Sequence, residues 1–219
     1  MKKIIRLDAI AAVLSAAVLS PLALQAAQEG KAVGWGMQVF GVDLDAGLVA
    51  VAGGELHSLG LKGDGSIVAW GGNALRQCSV PPPNAGFVAM AAGAEHSLGL
   101  KDDGSVAAWG GNSDGQCDVP LLNAGFVAVA AGELHSLGVK RDDGSVVAWG
   151  ENSHGQCNVP SPNEGFIAVA AGDQHSLGLK GDGSVVAWGN NGRGQCNVPP
   201  PNADFMAIAA GEYHSLGLK

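Results

Sequence analysis

The chain has 219 residues, a formal net charge of −8 and 35 glycines. An acidic chain of this kind lacks the basic surface that nucleic-acid binding requires, so we expect no nucleic-acid partner. The glycines are spread along the chain rather than clustered, which favours many tight turns over disorder. The length is enough for one domain of good size with its own core.

The N-terminal segment, residues 1–27, has the three-part layout of a secretory signal peptide. Three basic residues come first, and an apolar stretch from Ala9 to Leu24 and two alanines follow. We interpret residues 1–27 as a cleaved leader, which predicts a secreted or periplasmic protein. The alternative is an uncleaved membrane anchor, for which this run is short and is interrupted by Pro21. Removing the leader takes away three basic residues and one acidic residue, so the acidic excess of the remaining chain is larger.

From Leu48 onwards the chain repeats one unit five times, and each copy contains a histidine and, in the first four copies, a tryptophan. The histidines are His57, His96, His135, His175 and His214. The tryptophans that follow them are Trp70, Trp109, Trp149 and Trp188, with an outlying partner at Trp35. The histidines recur with a nearly constant period of about 40 residues, and a fixed period of this length indicates a repeat architecture.

Each unit contains three short apolar runs, which we describe for the third copy. Phe126–Ala131 alternates large and small side chains, and predicts a strand whose small face suits a crowded centre. His135–Lys140 also alternates, and the Asp143-Gly144 pair that follows predicts a tight hairpin. Ser145–Trp149 predicts a third strand, after which a link rich in Gly, Asn and Pro leads to the next unit. No segment has the 3.6-residue period of a helix.

A three-stranded unit cannot bury both of its faces alone, so neighbouring units must stack. This predicts an all-β fold over residues 31–219, a β-propeller of five repeats whose short blades have three to four strands. The fifth unit ends with His214–Lys219, before its third strand, and Lys31–Gly36 has the sequence of such a strand. We therefore expect the N-terminal strand to complete the fifth blade and close the ring. The alternative is an incomplete propeller with an open edge.

The repeated motif resembles a known family. Trp149–Pro160 reads WGENSHGQCNVP and Phe166–Gly189 reads FIAVAAGDQHSLGLKGDGSVVAWG. Both resemble the bacterial repeats of the regulator of chromosome condensation family, and are similar to those of the type II β-lactamase inhibitory protein. The resemblance covers residues 31–219 and implies a β-propeller, although the best-known members have seven blades and this chain has units for five.

For function, the resemblance implies two activities besides general protein binding. The first is inhibition of a secreted hydrolase such as a β-lactamase. The second is guanine nucleotide exchange, against which the leader, the acidic composition and the absence of an inserted wedge argue. Because one fold carries unrelated activities, the resemblance predicts architecture more strongly than function.

The two residues before each histidine vary within a constant frame. They are Glu55-Leu56, Ala94-Glu95, Glu133-Leu134, Asp173-Gln174 and Glu212-Tyr213. Each pair contains one carboxylate, so a ring of blades would carry an acidic rim that attracts cationic groups. The apolar residues and Tyr213 beside these carboxylates suit a protein contact. We predict that this rim binds another protein with a basic surface; the alternative is a solvated rim without a partner.

We expect no enzyme activity, metal or cofactor. Equivalent histidines of a ring are spread apart rather than gathered into a tetrahedral metal site, and we expect each to bind backbone carbonyls of the neighbouring loop. A serine follows each histidine directly, so the two side chains point to opposite faces and form no Ser–His pair within a repeat. Calcium bound at the centre of the ring is the minor alternative.

Four cysteines recur at one point of the link, and four tryptophans end the third strands. The cysteines are Cys78, Cys117, Cys157 and Cys196. A disulfide needs Cα atoms within about 7 Å, a distance that equivalent positions of neighbouring blades exceed away from the axis. We expect buried free thiols between blades, with disulfides as the alternative because the count is even. The tryptophans should pack between blades with their indole N–H groups bonded.

Overall fold

The computed structural model describes residues 47–219, which form fourteen β-strands in five antiparallel sheets. The first sheet contains β1 (Leu48–Gly53), β2 (His57–Lys62) and β3 (Ile67–Gly71); the second contains β4 (Phe87–Ala92), β5 (His96–Lys101) and β6 (Val106–Gly110). The third contains β7 (Phe126–Ala131), β8 (His135–Lys140) and β9 (Val146–Gly150); the fourth contains β10 (Phe166–Ala171), β11 (His175–Lys180) and β12 (Val185–Gly189). The fifth contains β13 (Ala207–Ala210) and β14 (Ser215–Leu218).

The first four sheets are three-stranded meanders in chain order, as the sequence predicts. The bounds of β7 and β8 agree with the prediction, whereas β9 begins and ends one residue later than predicted. A β-bulge shifts the register between Phe126 and Ala128 and bends the first strand. Nowhere in residues 47–219 is there a helix with the length and apolar character needed to cross a membrane.

The Asp-Gly pairs form the turns between the second and third strands, which confirms the predicted hairpins. The glycines of the four pairs have φ between 68° and 81°, a region that favours glycine. The carboxylate of Asp143 accepts a hydrogen bond of 2.8 Å from the Ser145 N–H and so fixes the turn from inside.

The first strands of all five sheets line a common narrow channel of about 180 Å³. Its wall is built mainly from small side chains: Ala52, Ala91, Ala92, Ala130, Ala131, Ala170, Ala171, Ala209 and Ala210. Because five strands crowd together here, small residues are needed at the ends of the first strands. Of the predicted small face in the third copy, Ala130 lines the channel, whereas Ala128 lies in the core between sheets.

The hydrophobic core is divided among the contacts between consecutive sheets, each of which we call a joint. At the joint between the second and third sheets, Leu98 and Val106 pack against Phe126 and Trp149. The rings of Phe126 and Trp149 lie 6.2 Å apart at an interplanar angle of 54°, a favourable tilted arrangement. The joints on either side repeat this cluster with their own residues. Trp109, Trp149 and Trp188 therefore each complete the core between their own sheet and the preceding one, as predicted.

The fifth sheet differs because it has two strands among the described residues. Leu216 and Leu218 on β14 are 58% and 51% exposed, whereas Leu137 at the equivalent place in the third sheet is fully buried. The predicted leader (1–27) and the predicted closing strand at Lys31–Gly36 both lie outside the described residues.

Candidate functional site

One end of the channel widens into a cavity of about 570 Å³ lined by residues of all five sheets. We call this cavity the channel mouth. The first residue of each variable pair belongs to its wall: Glu55, Ala94, Glu133, Asp173 and Glu212. Four carboxylates from four different sheets therefore face one space, because the same short turn before each histidine ends at the channel.

The second residues of the pairs have different positions. Gln174 and Tyr213 also line the channel mouth, whereas Leu56, Glu95 and Leu134 do not. The second sheet therefore contributes no carboxylate to the wall, because it places Ala94 there and Glu95 outside it. Leu56 and Tyr213 are each 41% exposed and lie next to the carboxylates in sequence.

The carboxylates of the channel mouth influence one another. Burial, and then the charges of Asp173, Glu151, Glu55 and Glu212, raise the pKa of Glu133. Burial, and then Glu212 and Glu55, raise the pKa of Asp173. A concave surface with several like charges creates a negative potential that attracts cationic groups. Within residues 47–219, no cluster of His, Cys, Asp or Glu is arranged to hold a metal ion.

A chain of hydrogen bonds crosses every joint beneath the channel mouth. The Nε2 atom of His96 lies 3.0 Å from the Oγ of Ser136 in the next sheet. The Ser136 hydroxyl donates to the backbone carbonyl of Gln116 (2.9 Å), and the indole N–H of Trp149 donates to the same carbonyl (2.9 Å). Because the serine has one proton and gives it to the carbonyl, His96 Nε2 must be the donor to Oγ. The other histidine–serine pairs are His57–Ser97, His135–Ser176 and His175–Ser215.

This arrangement corrects one expectation and supports another. The histidine rings bind a serine of the next sheet rather than a backbone carbonyl, and the serine makes the bond to the carbonyl. No Ser–His pair forms within a described repeat, as expected, but pairs form between repeats. Ser136 is fully buried and its hydroxyl proton is committed to Gln116, so the pair lacks the exposed, activated oxygen of a nucleophile.

Burial keeps these histidines neutral. Burial, and then the charges of His135 and His57, lower the pKa of His96 to about 3. Burial, and then His175, lower the pKa of His135 to about 4. A neutral ring has one N–H, which agrees with its donation to serine.

Sequence reasoning overlooked a buried glutamine in each link. The four are Gln77, Gln116, Gln156 and Gln195. Gln116 is 1% exposed, and its Oε1 accepts a hydrogen bond of 2.9 Å from the Asp114 N–H. This bond holds Gln116 in place, with its backbone carbonyl directed toward Ser136 and Trp149. The sequence does contain a signal for these glutamines, because one of them directly precedes each of the four cysteines.

The four cysteines are free and half-buried, which agrees with the prediction of free thiols. Each thiol bonds within its own link instead of between sheets; Cys117, for example, donates to the Gly111 carbonyl at 3.2 Å. Burial, and then Asp118, raise the pKa of Cys117 to about 11. Burial, and then Glu151, raise the pKa of Cys157 to about 11. Such thiols form little thiolate at neutral pH and are poor nucleophiles.

Three segments of the chain, residues 87–116, 126–156 and 166–195, match the family model of the regulator of chromosome condensation (RCC1) repeat. Each segment begins with the first strand of a sheet and ends at the buried glutamine of the following link. No curated protein matches the chain in sequence.

Several solved structures share the fold. Prp20p from Saccharomyces cerevisiae is 23% identical with a TM-score of 0.66, over 80% of this chain and 55% of Prp20p. The CRINKLY WD40 ectodomain of the Arabidopsis thaliana receptor kinase ACR4 is 29% identical with a TM-score of 0.61, over 77% of this chain and 58% of that one. Human WBSCR16 is 21% identical with a TM-score of 0.65, over 81% of this chain and 61% of that one.

The chain thus spans little more than half the length of these proteins. Its repeated three-stranded sheets match the blades of RCC1-like β-propellers. Residues 87–116, 126–156 and 166–195 are therefore RCC1 repeats.

Proposed function

We propose that this protein is a non-enzymatic β-propeller scaffold that binds another protein at the channel mouth. The proposed contact residues are Glu55, Leu56, Glu95, Glu133, Leu134, Asp173, Gln174, Glu212 and Tyr213. The observation that carries the proposal is the convergence of four carboxylates from four sheets on one open cavity. The two residues before each histidine vary from copy to copy, while the joints beneath them repeat the same histidine–serine hydrogen bonds.

The chemistry of this face favours a partner with a basic surface. The carboxylates attract Lys or Arg side chains, and the exposed Leu56 and Tyr213 offer apolar contact beside them. The structure of Prp20p is described together with its binding properties to Gsp1p and histones, so a propeller of this fold does serve in protein binding. The proposal includes no nucleic acid and no cofactor.

The proposal extends to location and to the shape of the whole propeller. The leader-like sequence of residues 1–27 supports export to the periplasm or the medium. The strand-like sequence of Lys31–Gly36 supports a closed ring of five blades, in which this segment completes the fifth sheet.

Two variants with the same change in charge test the proposed face. The channel-mouth variant carries Glu55→Gln, Glu133→Gln, Asp173→Asn and Glu212→Gln. The control variant carries Asp102→Asn, Asp142→Asn, Glu164→Gln and Asp204→Asn, all at carboxylates outside the channel mouth. A partner captured from the secreted or periplasmic fraction of the native host is purified, and its Kd for each variant is measured. We expect at least tenfold weaker binding by the channel-mouth variant and less than twofold change for the control; equal binding by both would refute this face.

A second candidate function is inhibition of a secreted hydrolase such as a β-lactamase. It is favoured by the resemblance of the repeats to those of the type II β-lactamase inhibitory protein, and by an exposed aromatic residue at the proposed face. The Arg193 guanidinium lies 4.5 Å from the centroid of the Tyr213 ring and supports it from one side. Titration of the purified protein into a nitrocefin hydrolysis assay tests this function, and an unchanged rate with a panel of β-lactamases removes that enzyme class.

A further inference from the structure

The links that follow the third strands of the first four sheets share an asparagine that holds the loop together. In the fourth link this residue is Asn191. Its Oδ1 accepts a hydrogen bond of 2.9 Å from the Cys196 N–H, and its Nδ2 donates to Asn197 Oδ1 at 2.9 Å. The equivalent asparagines, each of which accepts the N–H of its own cysteine, are Asn73, Asn112 and Asn152. The asparagine side chain therefore bridges its own loop in each of these four links.

The fourth link differs from the other three in the residue that follows this asparagine. In the first three links that residue is Ala74, Ser113 and Ser153, respectively. In the fourth it is Gly192, and Asn191-Gly192 is the one Asn-Gly pair in the 219-residue sequence. Glycine has no Cβ atom, so its backbone nitrogen is unhindered and its backbone is adaptable. Since both residues of the pair are exposed, water reaches them freely.

We propose that Asn191 is a self-modification site, at which the protein converts this asparagine to aspartate and isoaspartate without an enzyme. The Gly192 backbone nitrogen loses its proton and attacks Cγ of Asn191. A bond between this nitrogen and Cγ closes a five-membered succinimide ring, while Nδ2 takes up a proton and leaves as ammonia. Water then opens the ring at either carbonyl, which gives aspartate or isoaspartate. The sum of the steps is hydrolysis of one amide, so neither an oxidant nor a reductant is needed.

The hydrogen bond from Cys196 favours this reaction. Attack on Cγ moves negative charge onto Oδ1 of Asn191, and the Cys196 N–H already donates to that atom. A donor fixed where charge develops stabilises the transition state. The other three links have the same donor, but there a side chain on the next residue hinders the attacking nitrogen. The fourth link thus combines a polarised carbonyl with an unhindered nucleophile in the adjacent residue.

A further hydrogen bond limits the rate of the reaction. The Gly192 N–H donates to Asn190 Oδ1 at 2.8 Å, so this bond must open before the nitrogen can lose its proton and attack. A single exposed hydrogen bond contributes little net stability, so we expect the folded protein to react less than about tenfold more slowly than the unfolded chain.

Both products would alter the link that supports the proposed contact face. The Arg193 N–H donates to Gln195 Oε1 at 2.9 Å, and the Arg193 guanidinium lies 4.5 Å from the centroid of the Tyr213 ring. Isoaspartate adds a methylene to the main chain two residues before Arg193. Aspartate replaces the amide donor that Asn197 Oδ1 accepts. This consequence rests on the proposed function, whereas the reaction itself does not.

Peptide mass mapping of the full-length protein, incubated at pH 8 in native buffer and in urea, tests the site. Replacement of NH2 by OH adds one mass unit, and we expect this gain in the peptide that contains Asn191. Its rate in the folded protein should be at least tenfold higher than at Asn112 and Asn152, which serve as internal controls. Isomerisation at the Asp-Gly turns leaves the mass unchanged and is not counted.

Gly192→Ser is the matched variant, because it gives the fourth link the residue that the second and third links have at this place. We expect it to slow the conversion of Asn191 at least tenfold, with tryptophan fluorescence showing that the variant is folded. Conversion of Asn191 in urea but not in native buffer would overturn the proposal. Equal rates in the native sequence and in Gly192→Ser would also overturn it, because the glycine would then have no part in the reaction. Neither result bears on whether the channel mouth binds a partner.

Discussion

The imidazole of His135 occupies the space that a Cβ atom on Gly132 would need. A Cβ there would lie 2.3 Å from Cε1 and 2.5 Å from Nδ1 of His135, and 2.5 Å from the carbonyl oxygen of Gly172 in the next sheet. Gly93 and Gly172 have the same relationship to His96 and His175. The constant spacing of glycine and histidine therefore has a steric cause, and it packs each turn against the next blade.

Gly132→Ala should destabilise the protein by at least about 2 kcal/mol, because both the histidine ring and a backbone carbonyl would have to move. Gly53→Ala is the matched control, since a Cβ on Gly53 meets no atom within 4 Å. Its effect should stay within about 0.5 kcal/mol. Urea unfolding followed by tryptophan fluorescence measures both, and equal losses of stability would contradict the steric explanation.

Ser136→Ala should lower the free energy of unfolding by about 1–3 kcal/mol, because the buried His96 N–H loses its acceptor and the Gln116 carbonyl loses a donor. Ser113→Ala, at an exposed serine in a link, is the control and should be close to neutral. Chemical denaturation of both variants at pH 7.5 provides the comparison. A Ser136→Ala protein as stable as the control would show that the bonds across the joint contribute little.

The buried histidines predict a loss of stability in acid. Their pKa values are lowered in the folded protein, to about 3 for His96 and about 4 for His135, while the unfolded chain titrates near 6.5. Below pH 6.5 the unfolded chain therefore binds more protons than the folded one, and stability falls as the pH drops toward these values. At pH 5 each fully buried histidine should cost roughly 2 kcal/mol relative to pH 7.5.

Urea unfolding between pH 7.5 and pH 4 checks this slope. Glu133 and Asp173, whose pKa values are raised in the folded protein, act in the opposite sense. A flat profile for the native sequence would mean that the histidines at the joints are not held neutral.

The thiols should be free but slow to react. Cys117 and Cys157, with pKa values of about 11, should hold roughly one thiolate in a thousand at pH 8. Titration with a chromogenic disulfide reagent should count four thiols in urea, with or without prior reduction, and should proceed much more slowly in the folded protein. A lower count without reductant would reveal disulfides.

The sequence predicted most of the architecture, because strands in this chain are marked at both ends. β7 and β8 each alternate large and small residues and are bounded by glycine or the Asp-Gly turn, so their limits could be predicted to the residue. The prediction placed β9 one residue too early. The pairing between β8 and β9 continues past Trp149 to Gly150, which lies opposite His135.

The candidate site was less predictable, for two physical reasons. Alternation assigns a side chain to one face of its strand but does not indicate what the next unit presents to it, so the bond from His96 to Ser136 could not be anticipated. The position of Glu95 outside the channel mouth depends on the geometry of a two-residue turn, in which adjacent residues face different directions. The mutual effects of Glu133 and Asp173 arise only once separate sheets surround one space.

Because each of the first three joints takes its histidine from one unit and its serine, tryptophan and phenylalanine from the next, these units have no self-contained core. A genetic duplication can therefore begin at any residue of the unit. As long as the duplicated segment is one repeat long, it adds one whole joint to the array. A propeller built in this way can lengthen or shorten during evolution by single copies without inventing new packing, while the turns at its channel diverge independently.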